Sequence, residues 1–354
     1  MTVRPIELCL DIRPQQRFDI IDVSGVVRRE HGDLLDRYRN ALYCSYHTTA
    51  GYFEQQLAAR LQHSRDKLAD FLRVFQHIFP PHADYEHDKL HLRSELSDAE
   101  KVVEPINADS HLTFISSGLK NCVTYDNGQA HPVFFVDLDG LSDRHQRRRR
   151  TTVLGFDHEV DVAAARLEVP TAGRRIDSIN LKDAELGVLE SIREMVASEG
   201  VRYGRVELSL PPEERCAGLT VNEYETLLMR CDMAEVLKDP LRFATERGRH
   251  VLRDPLSVPQ KAHDYVHYDL VRVVSELLSQ LRFSESLLER AVARFVAAPA
   301  ARFFRLKRSV SLLVTDLAGQ GAVAHGTYQS PILLQWGKAQ GARRRIDVVV
   351  KRFV

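Results

Sequence analysis

The chain repeats itself, and a repeat narrows the folds open to it more than any single motif does. RLEVPTAGRRIDSINLKD (166–183) parallels IELCLDIRPQQRFDIIDVSG (6–25). Cys216-Ala217-Gly218 stands where Thr49-Ala50-Gly51 stands, each ahead of a helix-like stretch. His263-Asp264-Tyr265-Val266-His267 matches Ala83-Asp84-Tyr85-Glu86-His87, and an arginine-rich stretch closes each half, 147–150 and 343–345. Four matches in one order predict a tandem duplication joined near 157–165, with one domain over 1–160 and a second over 161–354. A length of 354 residues agrees, since a single core rarely grows so large.

Short apolar runs predict strands at 6–10, 18–22, 41–46 and 147–156, with helical character over 33–40. From Phe53 to Phe79 apolar residues recur at threes and fours, which predicts an amphipathic helix broken once and stopped by Pro80-Pro81. Residues 112–125 and 131–138 read as strands joined by the turn Asp126-Asn127-Gly128. The second half gives a helix over 223–237, strands at 309–316, 331–335 and 342–350, and a leucine-striped helical stretch over 268–297. The fold class expected is α+β.

Charge excludes some partners. Lys plus Arg and Asp plus Glu are equal at 49 each, so no net field favours nucleic acid or an anionic membrane. Five scattered cysteines without a CxxC pair predict free thiols in a reducing compartment. The first residues lack the apolar core of a signal peptide, and no apolar run has membrane-spanning length. The expected location is the cytoplasm.

His47 sits between small residues at the end of a strand-like run, where an imidazole titrating near neutrality suits ligation or proton transfer. A hydrogen-bonded structural histidine is the plainer reading. His87 in Tyr85-Glu86-His87-Asp88 and His111 in Asn107-Ala108-Asp109-Ser110-His111 occupy similar compact clusters, with Asp88 either orienting an imidazole or closing a turn. In the run Arg147 to Arg150, alternate side chains of a strand point to opposite faces. Arg148 and Arg150 therefore form one set, and guanidinium groups suit phosphate.

HTTAG (47–51), YEHD (85–88), NADSH (107–111), Asn222-Glu223 and GTYQ (326–329) together resemble the YjbQ family, also called the secondary thiamine-phosphate synthase family. The resemblance runs once through each half. It implies two tandem β-sandwich domains with helices packed on the sheets, in a homo-oligomer, usually a trimer. It also implies a transferase that joins a pyrimidine pyrophosphate to a thiazole phosphate. His47, His87, His111 and Asp137 would be the catalytic set, the three histidines holding a divalent metal, zinc before others. Asn222, Glu223, Arg148 and Arg150 would bind the phosphorylated small-molecule substrate.

Both halves depart from that pattern. The first has Gln55-Gln56 for Asn-Glu and Gln129-Ala130-His131 for the Thr-Trp-Gln of the family. The second has Glu214 for the first histidine, Arg302 for the third and Gln335 for the acidic residue. The expectation is a competent site in the first half and a degenerate one in the second, closed by a Glu214–Arg302 salt bridge. A metal-dependent hydrolase and a noncatalytic binding protein for a phosphorylated metabolite are the alternative functions.

Overall fold

The computed structural model describes residues 4–128, 131–141, 146–238, 243 and 304–354. Up to Phe156 the elements are β1 (Ile6–Ile12), β2 (Asp19–Asp22), α1 (Val23–His31), β3 (Asn40–Ser45), β4 (Ala50–Gly51), α2 (Gln55–Arg60), α3 (Arg65–Ile78), α4 (Asp98–Val103), α5 (Ala108–Ser117), β5 (Cys122–Asp126), β6 (Phe134–Asp137) and β7 (Arg149–Phe156). After it come β8 (Glu159–Pro170), β9 (Asp177–Asn180), α6 (Val188–Ser198), β10 (Gly204–Ser209), β11 (Ala217–Asn222), α7 (Met233–Lys238), β12 (Ser309–Leu317), β13 (Gln320–Ala324), β14 (Ser330–Gln335) and β15 (Arg343–Phe353). Helices and several antiparallel sheets are thus mixed, as expected.

Two compact units result. The first contains 1–59, 118–224 and 306–354; the second contains 60–117 and 225–305. The first unit gathers strands from both sides of residue 160, and the second gathers segments that interrupt them.

In the first unit one sheet has the order β1-β7-β3-β5, and another runs β13-β12-β10-β15-β8. Two three-stranded sheets have the orders β2-β6-β4 and β11-β14-β9. By chain position, β8-β15-β10-β12 repeats β1-β7-β3-β5, and β9-β14-β11 repeats β2-β6-β4, with β13 an added edge. Register repeats too. Ile12 faces Arg149 as Val169 faces Arg344. Asp137 lies between Asp19 and Ala50 as Gln335 lies between Asp177 and Ala217.

Alternation in the strands decides what is buried. Val206 and Leu208 of β10 and Ile346, Val348 and Val350 of β15 share a core with Ile192 and Val196 of α6. In the first half Val23 and Val27 of α1 join Leu10, Tyr43, Tyr52 and Phe135. A third cluster ties the repeats together: Leu42, Cys44, Leu154 and Phe156 meet Leu313 and Phe353. The Phe156 and Phe353 rings stack with centroids 3.8 Å apart and planes 3° from parallel.

The second unit is helical where described. Ser64 caps α3, which buries Leu68, Phe71, Leu72, Phe75 and Ile78 before the chain reaches Pro80. All ten residues of α5 are buried.

Three expectations need correction. Residues 112–125 are mostly not a strand: α5 ends at Ser117 and β5 starts only at Cys122. A helix buried all round shows no amphipathic period, so its apolar run was indistinguishable from a strand. The turn Asp126-Asn127-Gly128 makes no hairpin, because β5 and β6 belong to different sheets. Helix α1 precedes the 33–40 stretch, which holds only a short 3-10 turn at Leu34–Arg37. Gln129, Ala130, the 263–267 cluster, the 268–297 stretch and Arg302 lie outside the described residues.

Phe156→Ala removes a fully buried ring from the layer joining the repeats. Urea unfolding should show a loss of about 3–5 kcal/mol; a loss under about 1 kcal/mol would show that this layer does not hold the first unit together.

Candidate functional site

Arg149 opens β7 with its side chain turned inward and only 5% of the residue exposed. Its guanidinium grips Asp137 on β6 through two contacts, Nε to Oδ2 at 2.6 Å and Nη2 to Oδ1 at 2.8 Å. Nη2 also donates to the Asp139 carbonyl at 2.8 Å and to Thr49 Oγ1 at 3.3 Å. The Asp139 amide donates to Asp137 Oδ1 at 3.0 Å. Burial pushes the Asp137 carboxyl pKa up, against the pull of Arg149. Both Asp137 oxygens are therefore committed to the protein.

One residue along, the Arg150 backbone N–H donates to His47 Nε2 at 2.8 Å. An acceptor Nε2 places the ring proton on Nδ1. Burial lowers the His47 pKa to about 3, and the nearby Arg149 and Arg147 charges push the same way. The ring is neutral in the folded chain through ordinary pH. The unfolded imidazole protonates near 6.5, so the His47 contribution to stability is present above that pH and is lost as pH falls towards 3.

The loop carrying His47 is held from the second half. Gln329 Nε2 donates to the carbonyls of Ser45 at 3.0 Å and His47 at 2.9 Å, while its Oε1 accepts the Gly326 amide at 2.9 Å. Asn222 Nδ2 donates to the Thr48 carbonyl at 2.7 Å, and its Oδ1 accepts the Glu223 amide at 2.8 Å. Gly326 sits so close that an added Cβ would lie 1.9 Å from the Tyr46 carbonyl oxygen. Asn222 thus positions the loop, and Glu223 follows it directly. Arg148 and Arg150 lie on the exposed side of β7: Arg148 pairs with Asp11, and the Arg150 guanidinium is 5.5 Å from the centre of the Tyr46 ring.

The second half contains the same arrangement with different residues. The Arg345 amide donates to Glu214 Oε1 at 3.1 Å, as the Arg150 amide does to His47. Buried Arg344 reaches Gln335 Oε1 at 3.2 Å and the Gly337 carbonyl at 2.6 Å, as Arg149 reaches Asp137 and Asp139. It also bonds Glu214 Oε2 at 3.0 Å. Burial pushes the Glu214 carboxyl up, but Arg344 and Arg345 hold it below the usual range. Among the described residues the ion-pair partners of Glu214 are Arg344 and Arg345; Arg302, the partner expected from the sequence, lies outside the described residues.

The second unit holds the other two histidines. His87 Nδ1 lies 2.8 Å from Glu225 Oε2, and Glu225 also accepts the Leu227 and Leu228 amides at 2.6 and 2.7 Å. Asp232 accepts the Glu86 and His87 amides at 3.0 and 2.9 Å. Against its burial, these bonds hold Glu225 below the usual carboxylate range, with His87 the foremost. Asp88 Oδ1 accepts the Asn107 and Ala108 amides at 3.1 and 3.0 Å, which caps α5. That helix carries His111, whose ring centroid is 5.3 Å from that of His87.

Of the ligands expected for a metal, His47 has its Nε2 engaged by an amide and Asp137 is held by Arg149, whereas His87 bonds Glu225 through Nδ1 and keeps a buried Nε2. Among the described residues no group of three His, Cys, Asp or Glu side chains is placed to hold a metal ion. The arrangement in the first unit instead offers a neutral donor, His47 Nδ1–H, beside arginines. Sequence reasoning missed Arg149 and Arg344. The alternation of the arginine runs marks them, since the set opposite Arg148 and Arg150 must face inward.

The chain is similar to solved YjbQ-like proteins. A YbjQ-like protein of unknown function from Sulfolobus solfataricus P2 shares 14% identity over 55% of this chain and 99% of that one, with a TM-score of 0.29. A hypothetical protein from Aeropyrum pernix K1 shares 15% over 53% and 98%, TM-score 0.27. A protein of the yjbq/upf0047 family from Clostridium acetobutylicum shares 13% over 52% and 98%, TM-score 0.27. No family model and no curated protein matches the sequence. No helix among the described residues is long and apolar enough to cross a membrane.

Asp137→Ala would strand a buried guanidinium. Its stability cost should be about 3–5 kcal/mol, exceeding that of the double variant Asp137→Ala/Arg149→Met measured by denaturant unfolding; a double variant no more stable than the single would contradict the pairing.

Proposed function

We propose that this chain is a tandem YjbQ-like protein that acts on a phosphorylated small molecule at the His47 loop. The repeated strand orders and the paired Arg149 and Arg344 networks support the duplication. The observation that carries the site is the loop itself: a neutral, half-buried imidazole beside Arg147, Arg149 and Arg150, fixed by Asn222 and Gln329 from the other repeat.

The net charge of the chain is zero, yet four arginines follow one another beside this loop; Arg147, Arg148 and Arg149 pair with Asp139, Asp11 and Asp137, which leaves the Arg150 guanidinium to attract an anion. His47 Nδ1–H would donate to a phosphate oxygen while Arg150 supplies charge from the exposed side. In the transfer implied by the family resemblance, a thiazole nitrogen forms a C–N bond to the pyrimidine methylene carbon as its C–O bond to pyrophosphate breaks. Pyrophosphate departs with the electron pair, and the arginines and the neutral imidazole stabilise that developing charge. No step requires Asp137, whose carboxylate is held by Arg149. That same engagement favours a second reading, a noncatalytic binder of a phosphorylated metabolite, over a metal-dependent hydrolase.

Isothermal titration with inorganic pyrophosphate and with a thiazole phosphate tests the site. Wild type should bind, and His47→Ala and Arg150→Gln should each weaken binding about tenfold or more. Formation of thiamine phosphate from the two substrates would establish transfer; binding without product would establish the binder. Affinity unaffected by both substitutions would remove His47 from the site.

A further inference from the structure

The surface of the second repeat that holds the His47 loop has a counterpart in the first repeat, and the counterpart opens onto a cavity. Gln55 corresponds to Asn222, Gly128 to Gly326 and His131 to Gln329. Where a Cβ on Gly326 would strike the Tyr46 carbonyl, a Cβ on Gly128 would meet only the Asp126 side chain, at 3.1 Å. A cavity of about 240 Å³ lies here, bordered by Gln55, His131, Arg28, Asp36, Tyr43 and Tyr125.

The loop that would match this surface is occupied elsewhere. In the first repeat the carbonyls of Ser45, His47 and Thr48 depend on Gln329 and Asn222. In the second, Arg308 takes the Leu210 and Pro211 carbonyls at 3.1 and 2.7 Å and also bonds the Glu214 carbonyl, while Arg344 takes that of Arg215 at 2.9 Å. The Glu214 loop thus takes its donors from Arg308 and Arg344 of its own repeat.

The cavity contains a polar group that calls for a partner. Tyr43 is 2% exposed, yet no hydrogen bond among the described residues engages its hydroxyl. A buried hydroxyl without a partner is costly, so such groups generally have a protein, water or ligand partner. The charged neighbours of the phenol are Asp22 and Arg28. Asp22 is committed to the start of α1 through Ser24 Oγ at 2.6 Å and the Gly25 amide at 2.9 Å. No hydrogen bond or ion pair among the described residues engages the Arg28 guanidinium. Gln55 accepts the Asp126 amide through Oε1 at 3.0 Å, which leaves its NH2 as a donor. Asp36 also borders the cavity, and Val27, Leu35 and Val133 supply an apolar wall.

We propose that this cavity binds a zwitterionic amino acid with an apolar side chain. Its carboxylate meets Arg28 and the Tyr43 hydroxyl, its ammonium meets Asp36, and its side chain lies against the apolar wall. The site is separate from the His47 loop and does not depend on the reading given for it.

Titration calorimetry with L-leucine tests the proposal on the full chain, with 4-methylvalerate and isoamylamine as analogues lacking the ammonium or the carboxylate. Leucine should bind, each analogue about tenfold or more weakly. Tyr43→Phe, which keeps the ring in the core, and Arg28→Gln, at the surface, should each weaken leucine binding about tenfold. His47→Ala should leave it unchanged. Absence of leucine binding at millimolar concentration overturns the proposal, as does leucine binding indifferent to Tyr43→Phe and Arg28→Gln in variants with wild-type melting temperatures.

Discussion

A guanidinium carried beneath a β-sheet must have its N–H groups answered, because an uncompensated buried charge costs several kcal/mol. Arg149 meets that demand with Asp137, Thr49 and the Asp139 carbonyl, and thereby binds β7 to β6 and to the loop ahead of β4. The amide of the next residue is then presented to His47. That bond fixes the imidazole, while burial, with the Arg149 and Arg147 charges adding to it, keeps the ring neutral. Arg344 does the same for the second repeat, with Gln335 in place of the carboxylate and Glu214 in place of the imidazole.

The two halves differ in what satisfies the loop carbonyls. The His47 loop borrows amide donors from Asn222 and Gln329 of the other repeat. The Glu214 loop relies on Arg308 and Arg344 of its own. A carboxylate among three arginines is well compensated but presents no neutral donor, whereas His47 does. The proposed anion chemistry follows from this asymmetry between the loops.

Much of this was legible in the sequence. The strand-like starts of both halves and the correspondence of Gln335 with Asp137 reappear in the register of the sheets, and that of Glu214 with His47 in the amides of Arg345 and Arg150 that they accept. What escaped notice did so for physical reasons. Helix α5 has no polar face, so periodicity could not distinguish it from a strand. Strand alternation correctly divided the run 147–150 into two sets, but it could not tell which set lay beneath the sheet. Arg148 and Arg150 form the exposed set, while Arg149 organises the loop. The partners of Glu214 come from β15, more than a hundred residues along the chain, and only the pairing of β15 with its neighbours reveals them.

The central claim is that His47 is held neutral with Nε2 as an acceptor. Nitrogen-detected NMR of the imidazole across pH measures this directly. The account predicts the Nδ1–H tautomer of His47 and no titration down to pH 4.5; a ring that titrates near 6.5, or one carrying its proton on Nε2, would contradict it.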